Sequence, residues 1–380
     1  MIYLDYNAST PLDPRAREAM LPYLNEWFGN PSAPHALGRT MRAGIDRARR
    51  QVAALLNATP EEIVFTSGGT ESNNTVLRGL AQKHGDRRRH LVTSAVEHPA
   101  VLKPCAALRA QGFEVTEVPV DSTGRVDPED VRRALRDDTL LVSIMHANNE
   151  VGTIQPVAEI AGITRERGVF LHTDAAQSAG KIPTDVQALG VDFLSIAGHK
   201  LYAPQGIGAL YLRKGCEPDP LLLGAGHESG RRAGTEAVPL IVALGVACEV
   251  ARPLLGDPAT PALRDELHEG LRRAFKGDLI FHGCREHRLP NTLNVGFRGC
   301  LSGELIERLP GVCVTAAAAC HAGSSAISPV LAAMKVDPDG ARGAIRFSLG
   351  RLTTSQEIRA AVYLVAEAAN ACHSPVTRTP

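Results

Sequence analysis

The sequence has no long apolar run, no net charge and few aromatic residues. Its 380 residues contain 41 Lys+Arg against 41 Asp+Glu, and only 4% of them are aromatic. No stretch approaches the roughly 20 apolar residues that a membrane span needs, and residues 1–5 lack a basic segment followed by an apolar run. Zero net charge removes whole-chain attraction to nucleic acid or an anionic membrane. We expect a cytoplasmic protein of about two domains that binds neither.

Cysteine is also sparse. Eight cysteines in a chain of this length, with no C-x-x-C pair, are too few for a disulfide framework. We expect most of them to be reduced and buried, which leaves the question of whether any one is different. They are Cys105, Cys216, Cys248, Cys284, Cys300, Cys313, Cys320 and Cys372.

Between about residues 13 and 250, short β-branched runs alternate with helical patterns. This alternation is typical of βαβ units and predicts an α/β fold with a mostly parallel, doubly wound sheet. Asp13-Pro14 and Asp127-Pro128 are helix-start signals, and Gly168 is a helix-stop signal. The predicted strands cover residues 62–65, 90–93, 114–118, 140–145, 169–173, 193–196 and 208–212.

The pattern changes after about residue 250 to that of a smaller α+β domain. Helices are predicted at 263–275 and 303–309, and a last helix opens with a Thr354 and Glu357 capping box. Strands are predicted at 293–297, 312–315 and 344–349. We therefore predict a large domain over 13–252, a small domain formed by 1–12 with 262–372, and a frayed polar tail at 373–380.

Polar residues follow four of the predicted strands in the large domain. In an open α/β sheet, ligands bind beyond the carboxyl ends of the strands. Residues 66–74 form a glycine turn leading into a helix, whose backbone N–H groups suit a phosphate. Residues 97–98, 148–150 and 174–177 follow the other strands, and ordinary loop or cap residues are the alternative interpretation. Asp174 ends an apolar strand, so its burial would require a cationic partner.

Lys200 follows the next strand, and a lysine in that position is usually on the surface. Here it would share a cleft with the glycine turn, Asp174 and His98. An amine that can form an imine, a phosphate nest, a carboxylate for a ring nitrogen and a flat ring partner are the parts that hold pyridoxal phosphate.

These residues carry a resemblance to a known family. The chain resembles the cysteine desulfurases and selenocysteine lyases, the NifS-like branch of the class V aminotransferases with the type I pyridoxal phosphate-dependent transferase fold. The similarity runs from Tyr3 to Arg351. Its motifs, in the family's order, lie at residues 3–11, 29–32, 66–74, 96–98, 148–152, 172–177, 198–200 and 346–351.

The resemblance implies roles at the cofactor ring. Lys200 would carry pyridoxal phosphate, Asp174 would pair with the ring nitrogen, and His98 would stack on the ring and assist proton transfer. Gln177 would donate to the phenolic oxygen. Asn149 would reach the substrate or the same oxygen.

The resemblance also implies roles around the ring. Gly69, Thr70 and His199 would hold the phosphate, and Arg346 would clamp the substrate carboxylate with its bidentate fork. Thr235 lies in a segment that crosses the subunit interface in the family, where it would reach the partner's phosphate. A homodimer is therefore implied.

Cys320 lies in a run of small residues between a strand and a helix that starts near Ser328. Such a run can form a mobile loop that brings a thiolate to a substrate. From the residues alone a buried bystander is the more common interpretation, but the resemblance makes Cys320 the nucleophile. His321 beside it would lower the pKa of the thiol or would be a solvated loop residue. The other cysteines are expected to be structural or peripheral.

Three features depart from the commonest desulfurase pattern. Ala197 replaces a phosphate-binding serine, alanines precede Cys320, and the chain ends soon after its last predicted helix. They weaken a housekeeping iron-sulfur role, and Ala197 resembles the residue in animal selenocysteine lyases. We expect a desulfurase that converts L-cysteine to L-alanine, holds the sulfur as a persulfide on Cys320 and passes it to an acceptor protein. A lyase acting on L-selenocysteine is the close alternative.

Two further alternatives belong to other classes of protein. A non-catalytic scaffold subunit is disfavoured because Lys200, Asp174, His98 and Cys320 are all present. Metal-assisted hydrolysis would use His98, His172, Asp174 and His199. The ligand types at His282, Cys284 and His287 lack a fourth member, so no metal site is expected. The basic run at 87–89 is interpreted as a solvated patch.

Overall fold

The structure is a computed structural model that describes residues 1–316 and 327–373. The strands are β1 (Ile2–Tyr3), β2 (Ile63–Thr66), β3 (His90–Ser94), β4 (Glu114–Val118), β5 (Thr139–Ser143), β6 (Phe170–Asp174), β7 (Phe193–Ala197), β8 (Gly208–Leu212), β9 (Leu279–His282), β10 (Thr292–Phe297), β11 (Val312–Cys313), β12 (Thr315–Ala316) and β13 (Ala344–Ser348). The helices are α1 (Pro14–Met20), α2 (Pro22–Asn25), α3 (Ala36–Leu56), α4 (Gly69–His84), α5 (Pro99–Arg109), α6 (Pro128–Ala134), α7 (Val157–Glu166), α8 (Val186–Leu189), α9 (Val238–Ala251), α10 (Ala259–Ala274), α11 (Ser302–Glu307), α12 (Pro329–Ala333), α13 (Pro338–Arg342) and α14 (Ser355–His373).

The larger sheet has seven strands in the order β2-β8-β7-β6-β5-β3-β4. Strand β8 runs antiparallel to both of its neighbours, and the other pairs are parallel. Strands β2, β3, β5, β7 and β8 are buried along their whole length. This burial is expected of a sheet covered on both faces by helices. The predicted α/β fold with a mostly parallel sheet is confirmed.

A second, four-stranded antiparallel sheet is formed in the order β12-β13-β10-β9. Its buried side chains form a separate core with α10 and α14, and Leu4 from the N-terminal segment belongs to this core. The prediction of one strand at 312–315 was wrong. Two short strands occur there, because β11 pairs in parallel with β1 whereas β12 pairs with β13.

The helix signals in the sequence are present in the structure. The Asp13 and Asp127 side chains accept hydrogen bonds from the backbone two residues on. Gly168 follows α7 with a φ of 60°, in the left-handed region that glycine tolerates. Thr354 and Glu357 form the reciprocal bonds of a capping box. These four predictions from local sequence are confirmed.

Helix α9 is apolar on all sides because it is buried. It contacts α1 and α3, and ten of its 14 residues are buried. In the part of the chain that the structure describes, no single helix is long and apolar enough to cross a membrane; the pair Val238–Leu254 and Ala259–Ala274 passes that test only together, bent by 76°.

The N-terminal segment crosses between the two sheets. The Asn7 backbone N–H donates to Ser348 Oγ at 2.9 Å, and its side-chain amide donates to Thr292 Oγ1 at 2.8 Å, both in the smaller sheet. Three residues further on, Thr10 N donates to His199 O at 2.8 Å beside the larger sheet. Residues 7–10 therefore fix the small sheet against the end of the large one.

Glu228 connects its own segment to helix α3 and to strand β2. Its buried carboxylate accepts from Arg49 Nη1 at 2.7 Å, from Arg49 Nη2 at 2.6 Å and from Phe65 N at 2.9 Å. Glu228→Ala should lower the free energy of unfolding by about 3–5 kcal/mol, because it leaves the mostly buried Arg49 charge unpaired. Urea unfolding of the purified protein measures the change. The exposed Glu61→Ala is the control, and equal midpoints for the two variants would contradict the prediction.

Candidate active site

The residues predicted at the strand ends come together at one edge of the larger sheet. His98 follows β3, Asn149 follows β5, Asp174 ends β6, and Lys200 lies in the helical turn Gly198–Lys200 directly after β7. The charges of Lys200 and Asp174 both act on His98, so these three groups share one environment. The edge is formed by the carboxyl ends of parallel strands, where α/β sheets bind ligands.

Asp174 is held by neutral donors. Its Oδ2 accepts from Asn73 Nδ2 at 2.7 Å, and its Oδ1 accepts from Ala176 N at 2.9 Å. The expected cationic contact is therefore replaced by an amide and a backbone N–H, although the charges of Asp174 and Lys200 still interact. Asn73 was not among the predicted site residues. Its spacing of four from Gly69, which opens α4, puts the two on one helix face and could have identified it.

The turn that carries Lys200 is fastened by the N-terminal segment. Thr10 Oγ1 donates to His199 O at 3.0 Å and accepts from Tyr202 N at 2.8 Å. Burial lowers the pKa of Lys200; Asp174 opposes this shift and the Arg346 charge adds to it. The amine thus loses its proton more readily than an exposed lysine, as a nucleophilic amine requires.

His98 is the N-cap of α5. Its Nδ1 accepts from Ala100 N at 3.1 Å, so the neutral ring carries its proton on Nε2. Burial lowers the pKa of His98, and the Lys200 charge lowers it further against the opposing effect of Asp174. The site therefore favours a neutral imidazole whose Nε2 is available to a ligand.

The start of α4 forms an open cradle. A methyl group placed on Gly69 would lie 3.5 Å from Ala197 Cβ and 3.9 Å from Ala176 Cβ, and none of the described atoms lies within 4 Å of one placed on Gly68. Helix N-terminal N–H groups bind phosphate. The exposed Thr70 makes no side-chain hydrogen bond within the described residues. Burial and the Lys200 charge lower the pKa of His199.

These residues fit pyridoxal phosphate. The cradle has room and amide donors for its phosphate, and the carboxylate, the imidazole and the low-pKa amine lie around the same edge of the sheet. Ala197 supplies no hydroxyl. The predicted phosphate donors in the described chain are the amides of the α4 N-terminus, Thr70 and His199.

Arg346 is buried and has partners of its own. Nη2 donates to Asp5 Oδ1 at 2.7 Å, Nη1 donates to Asn149 O at 3.0 Å, and Nε is buried without a partner in the described chain. Within the described residues the Asn149 side-chain amide makes no hydrogen bond. Asp5 was not predicted, although it lies in the N-terminal segment on which the resemblance drew.

Thr235 is exposed, and no hydrogen bond in the described chain joins it to Gly69 or Thr70. Its segment is fastened beside the cradle by Arg232, whose Nε and Nη2 donate to the Glu71 carboxylate at 2.8 and 3.2 Å. Since Glu71 is in the first turn of α4, this contact holds the segment next to the start of that helix.

Cys320 and His321 lie outside the described residues. The described chain on either side of them borders the site: β12 pairs Thr315 with Arg346, and Ser328 Oγ donates to Glu150 Oε2 at 2.5 Å. Burial raises the pKa of Glu150 to about 7. Both flanks of the segment are therefore fastened next to Arg346 and Asn149.

The seven described cysteines are free thiols, and four of them are buried. Burial raises the pKa of Cys105 and of Cys300 to about 12, and it raises the pKa of Cys248 still further. A thiol with so high a pKa is a poor nucleophile. Their buried positions agree with the structural role predicted for them.

The residues of the metal alternative are not arranged as ligands. His172 lies inside the large sheet between Ser143 Oγ at 2.8 Å and Ser195 Oγ at 3.0 Å, and burial lowers its pKa to about 4. Among residues 1–316 and 327–373, no group of three His, Cys, Asp or Glu side chains has the geometry to hold a metal ion.

The whole chain is similar to known proteins. The sequence model of the Aminotransferase class-V family matches residues 2–360. The chain is 46% identical over 362 residues to a cysteine desulfurase IscS of Dictyoglomus turgidum. This match covers 94% of this chain and 91% of the relative. A solved NifS-like protein superposes with a TM-score of 0.90 at 38% identity, covering 97% of this chain and 98% of that one. The structure of SspA in complex with cysteine matches with a TM-score of 0.82 at 37% identity, over 92% and 99% of the two chains.

Glu97, next to His98, is a buried carboxyl with one unpaired oxygen. Its Oε1 accepts from Ser94 Oγ at 2.7 Å and from Met145 N at 2.8 Å, and its Oε2 has no partner among the described residues. Burial raises its pKa from 4.5 to about 8, and the charge of Asp174 adds to that shift. The folded protein thus keeps a proton that the unfolded chain loses above pH 4.5, so stability falls as the pH rises towards 8.

Glu97→Gln should remove this pH dependence. The free energy of unfolding of the wild type minus that of the variant should fall by about 1.4 kcal/mol per pH unit between about pH 5 and 8. Urea unfolding at several pH values measures it, with the exposed Glu18→Gln as control. A difference that is constant with pH would show that Glu97 is ionised in the folded protein.

Proposed function

The chain belongs to the class V aminotransferase family and is a pyridoxal phosphate-dependent cysteine desulfurase, and we propose that it converts L-cysteine to L-alanine with Lys200 as the cofactor lysine and Cys320 as the sulfur acceptor. It has the type I pyridoxal phosphate-dependent transferase fold. The observation that carries the site assignment is the low-pKa amine of Lys200 beside Asp174 and the α4 cradle.

Different residues of the site would hold different parts of the cofactor. Bound pyridoxal phosphate supplies an electron sink that makes the substrate Cα acidic. Asp174 would face the ring nitrogen, oriented by Asn73 and Ala176 N. Gly69, Thr70 and His199 would hold the phosphate. His98 would cover the ring face, and Gln177 would donate to the phenolic oxygen.

Lys200 then acts as the base. With its pKa lowered by burial, the amine takes the proton from the substrate Cα and can return one later in the reaction. His98 Nε2 exchanges a second proton with the substrate, because Nδ1 is already occupied by Ala100 N.

Arg346 binds the substrate carboxylate. The buried guanidinium holds Asp5 and the Asn149 carbonyl, and its Nε has no partner within the described chain. A carboxylate that enters beside Nε and replaces Asp5 receives the bidentate contact that arginine favours. The Asn149 side-chain amide is placed to bind the same substrate.

Cys320 takes the sulfur. Its thiolate attacks the substrate sulfur, so that an S–S bond forms while the Cβ–S bond breaks and its electron pair stays on carbon. Two protons then complete alanine, and the balance is L-cysteine plus one thiol to L-alanine plus one persulfide. The persulfide requires a reducing compartment, for which we propose the cytoplasm, and an acceptor protein of unknown identity.

We also propose that the protein acts as a homodimer. A cavity of about 1080 Å³ lies beside the segment that carries Thr235, lined by Arg42, Arg49, His227 and Arg231 among others. A second copy seated here would bring Thr235 to the partner's phosphate. We also propose a division into a large domain over 13–252 and a small one from 1–12 with 262–372. Two of the four hydrophobic clusters in the described chain support it, one inside each part, whereas a further cluster packs Val96 and Val151 of the large part against Val330 and Leu331 of the small one.

The cofactor assignment predicts that purified protein is yellow and that borohydride reduction attaches the cofactor to Lys200 as a stable covalent label. Lys200→Ala should lose this covalent label and the desulfurase activity, whereas the exposed Lys214→Ala should keep both. Visible absorbance and peptide mass spectrometry provide the readout. A label on another lysine would contradict the assignment.

The sulfur assignment predicts that Cys320→Ala loses roughly 100-fold or more of kcat with L-cysteine while keeping the cofactor absorbance. Cys313→Ala, at a half-buried position in β11, should leave kcat within a few-fold. Alanine formation from L-cysteine and from L-selenocysteine measures both. Equal loss with the two substrates would argue against a selenocysteine lyase, and full activity of Cys320→Ala with L-cysteine would contradict the role of Cys320.

A further inference from the structure

Lys181 is a lysine inside the site with no role in the reaction described above. Its Nζ donates to Gln177 Oε1 at 3.0 Å and to Asn7 Oδ1 at 3.2 Å. Within the described residues it makes no ion pair with a carboxylate. Burial lowers its pKa well below the ordinary value, and the charges of Lys200 and Arg346 lower it further.

Placing this half-buried amine beside Lys200 and Arg346 costs folding free energy, because the described chain gives it no opposite charge in compensation. One side of Lys181 lines a cavity of about 750 Å³ between the two sheets, which also includes Tyr6, Tyr202 and Leu349. An apolar side chain would pack against those groups at lower cost. The presence of an amine at this position is therefore explained by the two hydrogen bonds that it donates, to Gln177 and to Asn7.

The contact with Gln177 fixes which way the amide points. A glutamine side chain has an oxygen end that only accepts and a nitrogen end that donates twice. Lys181 occupies the oxygen end, and one N–H of Nε2 donates to Asn7 O at 3.0 Å. The second N–H of Nε2 has no partner within the described chain, so it is left to a ligand.

The other acceptor of Lys181 is rigid. Asn7 Oδ1 also accepts from Asn291 Nδ2 at 3.0 Å, and Asn7 Nδ2 donates to Thr292 Oγ1. Because one end of the Asn7 amide is bound to Thr292 at the start of β10 and the other to Asn291 just before it, Asn7 holds Lys181 Nζ in place. Lys181 lies only four residues after Gln177, so the chain between them keeps the two side chains close together.

We propose that Lys181 is a positioning residue that keeps the nitrogen end of Gln177 directed at the phenolic oxygen of the cofactor. The inference rests on the proposed function, in which Gln177 donates to that oxygen. Lys181 and the Asn7 carbonyl together fix the amide; without Lys181 only the bond from Nε2 to Asn7 O opposes a turn that presents the amide oxygen instead. The donor is then lost in part of the molecules even though Gln177 remains.

The test is the pH titration of the visible absorbance of the holoenzyme. A donor to the phenolic oxygen weakens that oxygen's hold on the chromophore's proton, so losing the donor raises the titration midpoint. Lys181→Met and Gln177→Ala should each raise the midpoint by about half a pH unit or more. In the double variant, Lys181→Met should add nothing to Gln177→Ala, since it acts through that side chain. Lys214→Met is the control for a lost surface amine and should titrate as the wild type does.

The outcomes separate this inference from the proposed function. A full additional shift in the double variant would show that Lys181 acts by its own charge, and an unshifted Lys181→Met would show that it does not position Gln177; either result overturns the inference. An unshifted Gln177→Ala would overturn it together with the role of Gln177. Protein that shows no absorbance and no borohydride label on Lys200 would instead refute the proposed function.

Discussion

The site depends on the proximity of three basic side chains, Lys200, Lys181 and Arg346. The charges of Lys200 and Arg346 lower the pKa of Lys181, and the Arg346 charge also lowers the pKa of Lys200. Glu97 nearby is kept protonated near neutral pH, because burial raises its pKa to about 8. This proximity of basic groups favours an uncharged amine at Lys200 and attracts anions, which are the two properties that an amine base and a phosphate-bearing cofactor require.

The N-terminal segment connects the two sheets on either side of the site. Asn7 is bonded to the small sheet and to Lys181, whereas Thr10 holds the turn that carries Lys200. Asp5, at the start of the segment, holds Arg346 in β13. These few residues couple the position of Arg346 on the small sheet to that of Lys200 on the large one. A shift between the sheets therefore changes the distance between Lys200 and Arg346.

The larger fold and the strand-end residues were predictable because they depend on local periodicity and on a rule of parallel sheets. Lys200 and Asp174 follow apolar strands, and such ends share an edge. The contacts of Asn73 and Lys181 were not predictable in the same way. Helix spacing puts Asn73 on the face of Gly69 but does not name Asp174 in β6 as its partner, and Lys181 meets Asn7 only because the N-terminal segment folds across it. The division at 312–315 was missed because strand pairing is a long-range property that a run of four residues does not contain.

In the proposed reaction, the pairing of Arg346 with Asp5 gives a protein without net charge a close-range contact for a substrate without net charge. A zwitterionic amino acid gains little from a long-range field, so its recognition must come from single contacts at close range. In the folded chain Asp5 offsets the desolvation of the guanidinium, which would otherwise be buried unpaired. In the proposed reaction, a substrate carboxylate that replaces Asp5 keeps the buried guanidinium paired with a negative charge, so binding does not leave it uncompensated.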